Sequence, residues 1–438
     1  MYRVSFNLTM KFISLFTTSL CRTAIALLLL AVMTPLLAQN KLPQPREEKL
    51  LNGLKVLLWS DPTARDVSVK VRIHAGAAFD PQGKEGVMKM LADNIFPNEV
   101  SRDYFRDDLD GGLEIETNYD YIQINASSTS GEFLSMLETL SAAIANPTID
   151  KPTTAKLREA LLAKVKLLEA DPAYVGDQAV AKRLFGTFPY GRPRYGNSES
   201  VAKIDFADLI DAKQRFLTAD NATIAVSGNF EKAYGYRLIR RLFGAWLKSD
   251  KRVPSTFRQP DAPATDLVNI ASPNAEVSAI RFAVRGTSRN DKEFVASKVF
   301  ARILEARFLA RVPSKLSKDV FVRSEEHTLP GMIVAGFAAS QDEIGTGNGK
   351  IDAGALLAKT LSDLISEAEF QVAKIAFATE WSKRDAASFW LDADTYKSGE
   401  PGTQIKIADE VSLDGVRAFA ARVAKLPLAT VLVNSPAK

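Results

Sequence analysis

Two histidines, His74 and His327, and one cysteine, Cys21, are all that a chain of 438 residues offers to imidazole or thiol chemistry. His74 closes an alternating stretch, Val67 to Ile73, just ahead of Ala75-Gly76, and His327 follows Glu325-Glu326. A Ser-His-Asp or Cys-His centre needs a histidine base, and a zinc site needs three or four converging ligands. The spacing brings no third ligand to either histidine, so both read as packing or hydrogen-bonding residues. Gly345-Thr-Gly-Asn-Gly-Lys350 invites comparison with a phosphate loop. A Walker A loop, however, needs glycine where Ile344 stands and serine or threonine where Ile351 stands, so this is a surface loop. What the spacing does support is an ion pair. Lys89 and Asp93 lie four apart in Gly86–Phe96, where Val87, Met90, Leu91 and Ile95 recur with a helical period, so the two charges share one helix face.

The elements that must hold this helix are legible on both sides of it. Upstream lie the strand pattern Val67–Ile73, the small-residue turn Ala75–Ala78 and the loop Asp80–Lys84. The chain also reads as an internal duplication. Val67–Gly76 matches Val277–Gly286, Met136–Ser141 matches Leu357–Ser362, and Ala222–Val226 matches Ala429–Val433, in the same order in both halves. Lys248–Ala264 is charged, contains Pro254, Pro260 and Pro263, and reads as a linker. Each half runs strands, helix, strands, two long helices and a last strand. The expected fold is therefore α+β, with two homologous domains, 45–247 and 265–438, each an antiparallel-rich sheet packed on helices.

Composition sets further bounds. With 46% hydrophobic and 25% charged residues the chain is an ordinary globular one. Its formal charge of +4 falls to +1 once Arg3, Lys11 and Arg22 are removed, and no basic stripe with interleaved aromatics exists, so nucleic acid is excluded as a partner class. Those three cations belong to residues 1–38, where Lys11 and Arg22 precede the apolar run Ala24–Val32 and Leu37-Ala38 offers a cleavage point before Gln39. This is the pattern of a cleaved signal peptide, which predicts a periplasmic or secreted protein with no stable membrane span in the mature chain. A retained N-terminal anchor is the alternative. Cys21 leaves with the leader, so the mature chain has no disulfide.

A strand, a glycine turn, an acidic loop and a short apolar helix together resemble the opening of the pitrilysin/insulinase family of zinc peptidases. Asn52–Val56 resembles that family's first strand, Gly111-Gly112 with the polar strand through Tyr121 its substrate-side edge strand, Pro189–Pro193 with Gly196 the loop after its long helix, and Asp220–Gly228 its closing strand. In that family the short helix carries His-x-x-Glu-His, two zinc ligands and a general base, with a glutamate ligand on the later long helix. Here the resemblance places Lys89, Ala92 and Asp93 at the first three positions and Lys164, or Lys166 if the offset slips by two, at the last. The resemblance therefore implies a degenerate, non-catalytic member without zinc. Lys89, Asp93 and Lys164 are expected either to fill the vacated pocket as a charge cluster or to stand solvated on an open wall.

The same resemblance assigns the remaining candidates. Glu114, Ile115, Glu116, Thr117 and Asn118 form an edge strand whose unpaired backbone groups would add a peptide strand. Arg311 is the candidate for the family's backbone-holding arginine, with Val320 or Phe321 where its companion tyrosine is expected. Shorter members of the family build their chamber from two chains, often one catalytic and one degenerate. The implied function is a non-catalytic subunit that shapes the chamber and binds peptide, in a heterodimer with a zinc-bearing paralogue that alone holds zinc. The alternative is a stand-alone structural or peptide-binding protein of the same fold.

Overall fold

The computed structural model describes residues 42–249, 257–258, 260–271, 278–313, 320–340, 343 and 351–434. Residues 1–38, where a leader is expected, the glycine loop 345–350, and residues 250–256 and 259 of the expected linker lie outside the described residues.

Alternation of Val67, Val69, Val71 and Ile73 with Ser68, Lys70 and Arg72 buries one face of a strand, and this segment is strand β3, Asp66–Ile73. It lies inside a six-stranded sheet with β1 (Arg46–Lys49), β2 (Lys55–Ser60), β4 (Gly112–Thr117), β5 (Ile122–Thr129) and β6 (Ala222–Gly228), in the order β1-β2-β6-β3-β5-β4. Strands β2 and β6 run parallel and the other neighbours antiparallel. A second sheet contains β7 (Leu267–Ala271), β8 (Ser278–Arg285), β9 (Phe321–Glu325), β10 (Met332–Ala339) and β11 (Ala429–Asn434), in the order β7-β11-β8-β10-β9. Its parallel pair is β7 with β11. Leaving out β1, the two sheets have one order and one pattern of directions, so the fold is α+β with two mixed sheets.

The matched stretches of sequence occupy equivalent strands, but they are one residue out of step with the sheet faces. Val69 and Val71 lie in the apolar core of the first sheet, whereas their counterparts by sequence, Ala279 and Arg281, face the opposite side of the second. A slip of one residue turns every side chain over, and valine or alanine satisfies either face of a buried sheet, so apolar similarity alone did not fix the register.

In the first half the helices are α1 (Val87–Ile95), α2 (Glu99–Asp107), α3 (Phe133–Ala145), α4 (Lys151–Glu169), α5 (Pro172–Phe185), α6 (Ser198–Ala202), α7 (Phe206–Phe216) and α8 (Lys232–Phe243). Those of the second half are α9 (Phe294–Arg311), α10 (Ala353–Ser362), α11 (Glu367–Ser382), α12 (Ala386–Tyr396), α13 (Pro401–Gln404) and α14 (Leu413–Val423). Helix α1 begins where Asp80 folds back on it. The Asp80 carboxylate accepts from the backbone N–H of Gly86 at 2.8 Å and of Met88 at 2.7 Å, which satisfies donors the helix start leaves open. Gly86, at φ +108°, makes the turn into the helix in a conformation that favours glycine.

The two halves exchange helices. Val180, Ala181 and Leu184 of α5 pack with Ala279, Ala283, Val431 and Val433 of the second sheet. In return α12 packs against β6 and lies across the polar face of the first sheet. Lys70 meets Asp385 at 2.5 Å, Lys55 meets Asp394 at 2.8 Å, and Arg72 meets Asp392 at 2.8 Å. On the other side Arg281 of β8 meets Asp177 of α5 at 2.5 Å.

Candidate functional site

Helix α1 presents its polar edge where the sequence expects it. Lys89 and Asp93 form the i,i+4 ion pair, and Arg102 Nη2 comes within 3.7 Å of Asp93. Ala92 is fully buried. Lys164 does not join this pair. It is exposed on α4, and its Nζ stands 4.4 Å from the centre of the Tyr195 ring. Of the two expectations, cluster or solvated wall, neither holds in full: Lys89 and Asp93 pair on α1 with Arg102 beside them, while Lys164 is exposed against an aromatic ring. Zinc does not fit these four positions. Two are ammonium groups, one is a methyl, and the single carboxylate is already neutralised by a lysine. Among the described residues no group of three or more His, Cys, Asp or Glu side chains is placed to hold a metal ion.

Strand β4 is the terminal strand of its sheet. Glu114 and Glu116 are exposed, Ile115 is half-buried and Thr117 is buried. Asn118 shapes the turn that follows: its Oδ1 accepts from the N–H of Asp120 and of Tyr121, each at 2.8 Å, and its carbonyl accepts from Ala77 N–H at 2.8 Å. Gly76 lies under this turn, where a Cβ would fall 2.2 Å from the Asn118 carbonyl oxygen. Among the described residues no hydrogen bond from outside the sheet reaches the backbone of Gly112–Thr117. The terminal strand of the other sheet, β9, is treated differently. Lys298 of α9 donates to Ser324 O at 2.5 Å, and Val322 N–H points to Glu305 Oε1 at 3.5 Å. Side chains of α9 therefore occupy the outer edge of β9, while that of β4 stays open to another strand.

Between these two edges runs a cleft of about 520 Å³ lined by Glu116, Asn118, Tyr119, Tyr174, Arg194, Tyr195, Arg323 and His327, among others. One wall is joined across the halves by Asp120, a buried carboxylate in the β4–β5 turn. Its Oδ2 meets His327 Nδ1 at 2.9 Å, and its Oδ1 accepts from Thr328 N–H at 3.1 Å and from the Tyr190 hydroxyl at 3.2 Å. Burial works to lower the His327 pKa, but the Asp120 charge and hydrogen bond override it, so the imidazole is held above its ordinary value. His74 is the opposite case. Its two ring nitrogens meet Thr395 Oγ1 and Thr223 Oγ1, each at 3.0 Å, and burial pulls its pKa down to about 3. Arg311 makes an ion pair with Asp363 at the end of α9, so it is engaged in holding that helix to the loop after α10.

Neither Asp120–His327 nor Arg72–Asp392 follows from the sequence, because both join residues far apart in the chain. A signal was present for one partner in each exchange contact. Arg281 stands inside the largely apolar strand β8 and Arg72 at the end of the alternating strand β3, and an arginine buried at either place needs a carboxylate from a packed neighbour.

The sequence model described as "Peptidase M16 inactive domain" matches residues 203–377. An "uncharacterized zinc protease" of Mycobacterium leprae (strain TN) is 24% identical over 349 residues, covering 74% of this chain and 75% of the relative. A "probable mitochondrial-processing peptidase subunit beta" of Arabidopsis thaliana is 23% identical over 269 residues, covering 60% of this chain and 50% of the relative. The chain spans about half the length of the first curated relatives it matches, 49% and 50%. In structure it is similar to a peptidase M16 inactive domain from Pseudomonas fluorescens, with a TM-score of 0.78 at 17% identity over 90% of this chain and 98% of the other. The two mixed sheets with their flanking helices are the fold of that domain, and over residues 203–377 the chain resembles the M16 peptidase family.

Proposed function

We propose that this chain is a non-catalytic, peptide-binding subunit that works beside a zinc-bearing paralogue in a heterodimeric peptidase outside the cytoplasm. The observation that carries this reading is the contrast on α1 and β4. The helix that would hold zinc carries Lys89, Ala92 and Asp93, while the strand that would hold peptide keeps its outer edge open. A main-chain edge without a metal supplies binding and no hydrolysis. Loss of the metal ligands with retention of the edge is the arrangement expected of a chain that contributes half of a shared chamber. The leader pattern in 1–38 supports export, and the name of the Arabidopsis relative, a peptidase subunit, supports pairing with a second chain.

The test is binding of a fluorophore-labelled unstructured peptide to the purified full chain, followed by anisotropy. Binding is expected without cleavage. Proline at Glu114, Ile115 and Glu116, one at a time, should abolish it where the outward N–H is removed. Peptide that binds equally to all three variants, or is cleaved by the wild-type chain alone, contradicts the reading.

A further inference from the structure

Of the cations that line the cleft, Lys298 has Glu326 and Arg323 has Asp177 and Glu325 as acid partners. Arg194, which also lines it, and Lys164 of the adjoining α4 are different. Lys164 Nζ and Arg194 Cζ stand 4.4 and 4.7 Å from the centre of one ring, that of Tyr195, and Arg194 Nη2 donates to the Tyr195 hydroxyl at 2.7 Å. Among the described residues neither has a carboxylate within 4 Å. The Tyr195 ring offsets only part of the repulsion between the two cations it contacts. Beside them the hydroxyl oxygen of Tyr174 is buried and has no hydrogen-bond partner, and Tyr174, Arg194 and Tyr195 line the same cleft as Glu116 and Asn118 at the end of β4. The nearby carboxylate of Glu169 is already engaged by the N–H and hydroxyl of Ser198.

From this grouping we infer that Lys164, Arg194 and the Tyr174 hydroxyl form a carboxylate-binding site for the peptide that lies along β4. The inference rests on the peptide-binding reading above and adds the chemistry of what is bound. A guanidinium offers a planar pair of donors matched to a carboxylate, the ammonium supplies a second charge, and the phenol a third donor. Burial and Glu169 push the Tyr174 pKa up to about 12, so the phenol keeps the proton it would donate. Glu116, Glu325 and Glu326 in or beside the cleft disfavour a dianion such as phosphate and leave a single carboxylate as the better match. The site stands where the family resemblance places the third metal ligand, so a position that would hold a cation instead presents one. The carboxylate has two possible sources, the peptide C-terminus or an acidic side chain, and the experiment separates them.

One unstructured labelled peptide without Asp or Glu is prepared as the free acid, as the C-terminal amide, and as the amide with one internal Glu. Each is titrated with the full chain at low and high salt. The form that offers the correct carboxylate should bind about 10-fold more tightly than the acid-free amide, the effect of one charge-assisted contact. The margin should shrink as salt rises. The Lys164→Gln/Arg194→Gln double variant should lose the margin while keeping the wild-type melting temperature, and Tyr174→Phe should narrow it. Equal binding of all three forms to the wild type, or a margin that survives in the double variant, overturns this site but leaves the peptide-binding reading standing. If no form binds the wild-type chain, the peptide-binding reading itself fails and this site with it.

Discussion

Arg72 and Asp392, 320 residues apart, meet at 2.8 Å with both side chains nearly inaccessible to solvent. Asp392 also accepts from Arg384 at 2.5 Å, and Arg289 stands 3.9 Å away, so one carboxylate serves three arginines where α12 crosses the first sheet. Burial acts to raise the Asp392 pKa, and Arg384, Arg72 and Arg289 together override it and hold the group below the ordinary carboxylate range. This contact locks the exchanged helix α12 to the half from which it does not come.

Removing that carboxylate should be costly. Asp392→Ala leaves three arginines without their common partner, and the expected loss is about 3–5 kcal/mol, the range for stripping one member from a buried pair. Denaturant unfolding of the variant checks it. A loss near zero would mean that water reaches the cluster and that the exchange is held by apolar packing alone.

The two histidines should bend the pH–stability curve in opposite directions. His74 has a folded pKa near 3, below its unfolded value, so its contribution is present above pH ~6.5 and is lost as pH falls, at about 1.4 kcal/mol per pH unit. His327 has a raised folded pKa, so its contribution is complete below its unfolded pKa and is lost as pH rises through the folded value. His74→Gln should flatten the acid side of the curve and His327→Gln the neutral-to-alkaline side. Unfolding midpoints between pH 4 and 9 measure both, and an unchanged acid limb in His74→Gln would contradict the first assignment.

The bend that presents Tyr195 depends on Gly196, at φ +76°, where a Cβ would fall 2.1 Å from the Glu85 carbonyl oxygen. Gly196→Ala should cost at least about 1 kcal/mol through the left-handed backbone, and more through the clash. Because Tyr195 adjoins the bend, the same variant should weaken peptide binding. Wild-type stability together with wild-type binding would show that the loop accommodates a side chain there.

Much of this arrangement was legible in the sequence, and the reasons differ by element. Period-two runs such as Val67–Ile73 and helical periods such as Val87–Ile95 report burial directly, so strands and helices followed, and the ordered repeats exposed two similar sheets. The Lys89–Asp93 pair was readable because helix geometry fixes i,i+4 neighbours. The exchange of α5 and α12 was not readable, since the charges of β2, β3 and β8 call for carboxylate partners but nothing local says which helix supplies them. For the same reason the place of Lys164 relative to Asp93 does not follow from the sequence. A spacing argument cannot see that Tyr195, brought back by the loop after α5, offers a nearer face.

The purified chain should contain no stoichiometric zinc and should cleave no unstructured peptide on its own, since Lys89, Ala92, Asp93 and Lys164 supply neither ligand set nor general base. Elemental analysis after metal-free purification checks the first part and a chelator-controlled peptidase assay the second. About one zinc per chain with chelator-sensitive cleavage would show an active site built from other residues.

The central claim, that this chain supplies binding and closure to a catalytic partner, is tested most directly by the peptide-cleavage rate of a zinc-bearing paralogue measured alone and with this chain added. The account predicts that the two chains co-elute as one complex burying more than ~1,200 Å² and that the complex cleaves faster than the paralogue alone. A paralogue already fully active by itself, with the mixture eluting as two independent species, would contradict the account and leave a stand-alone peptide-binding protein in its place.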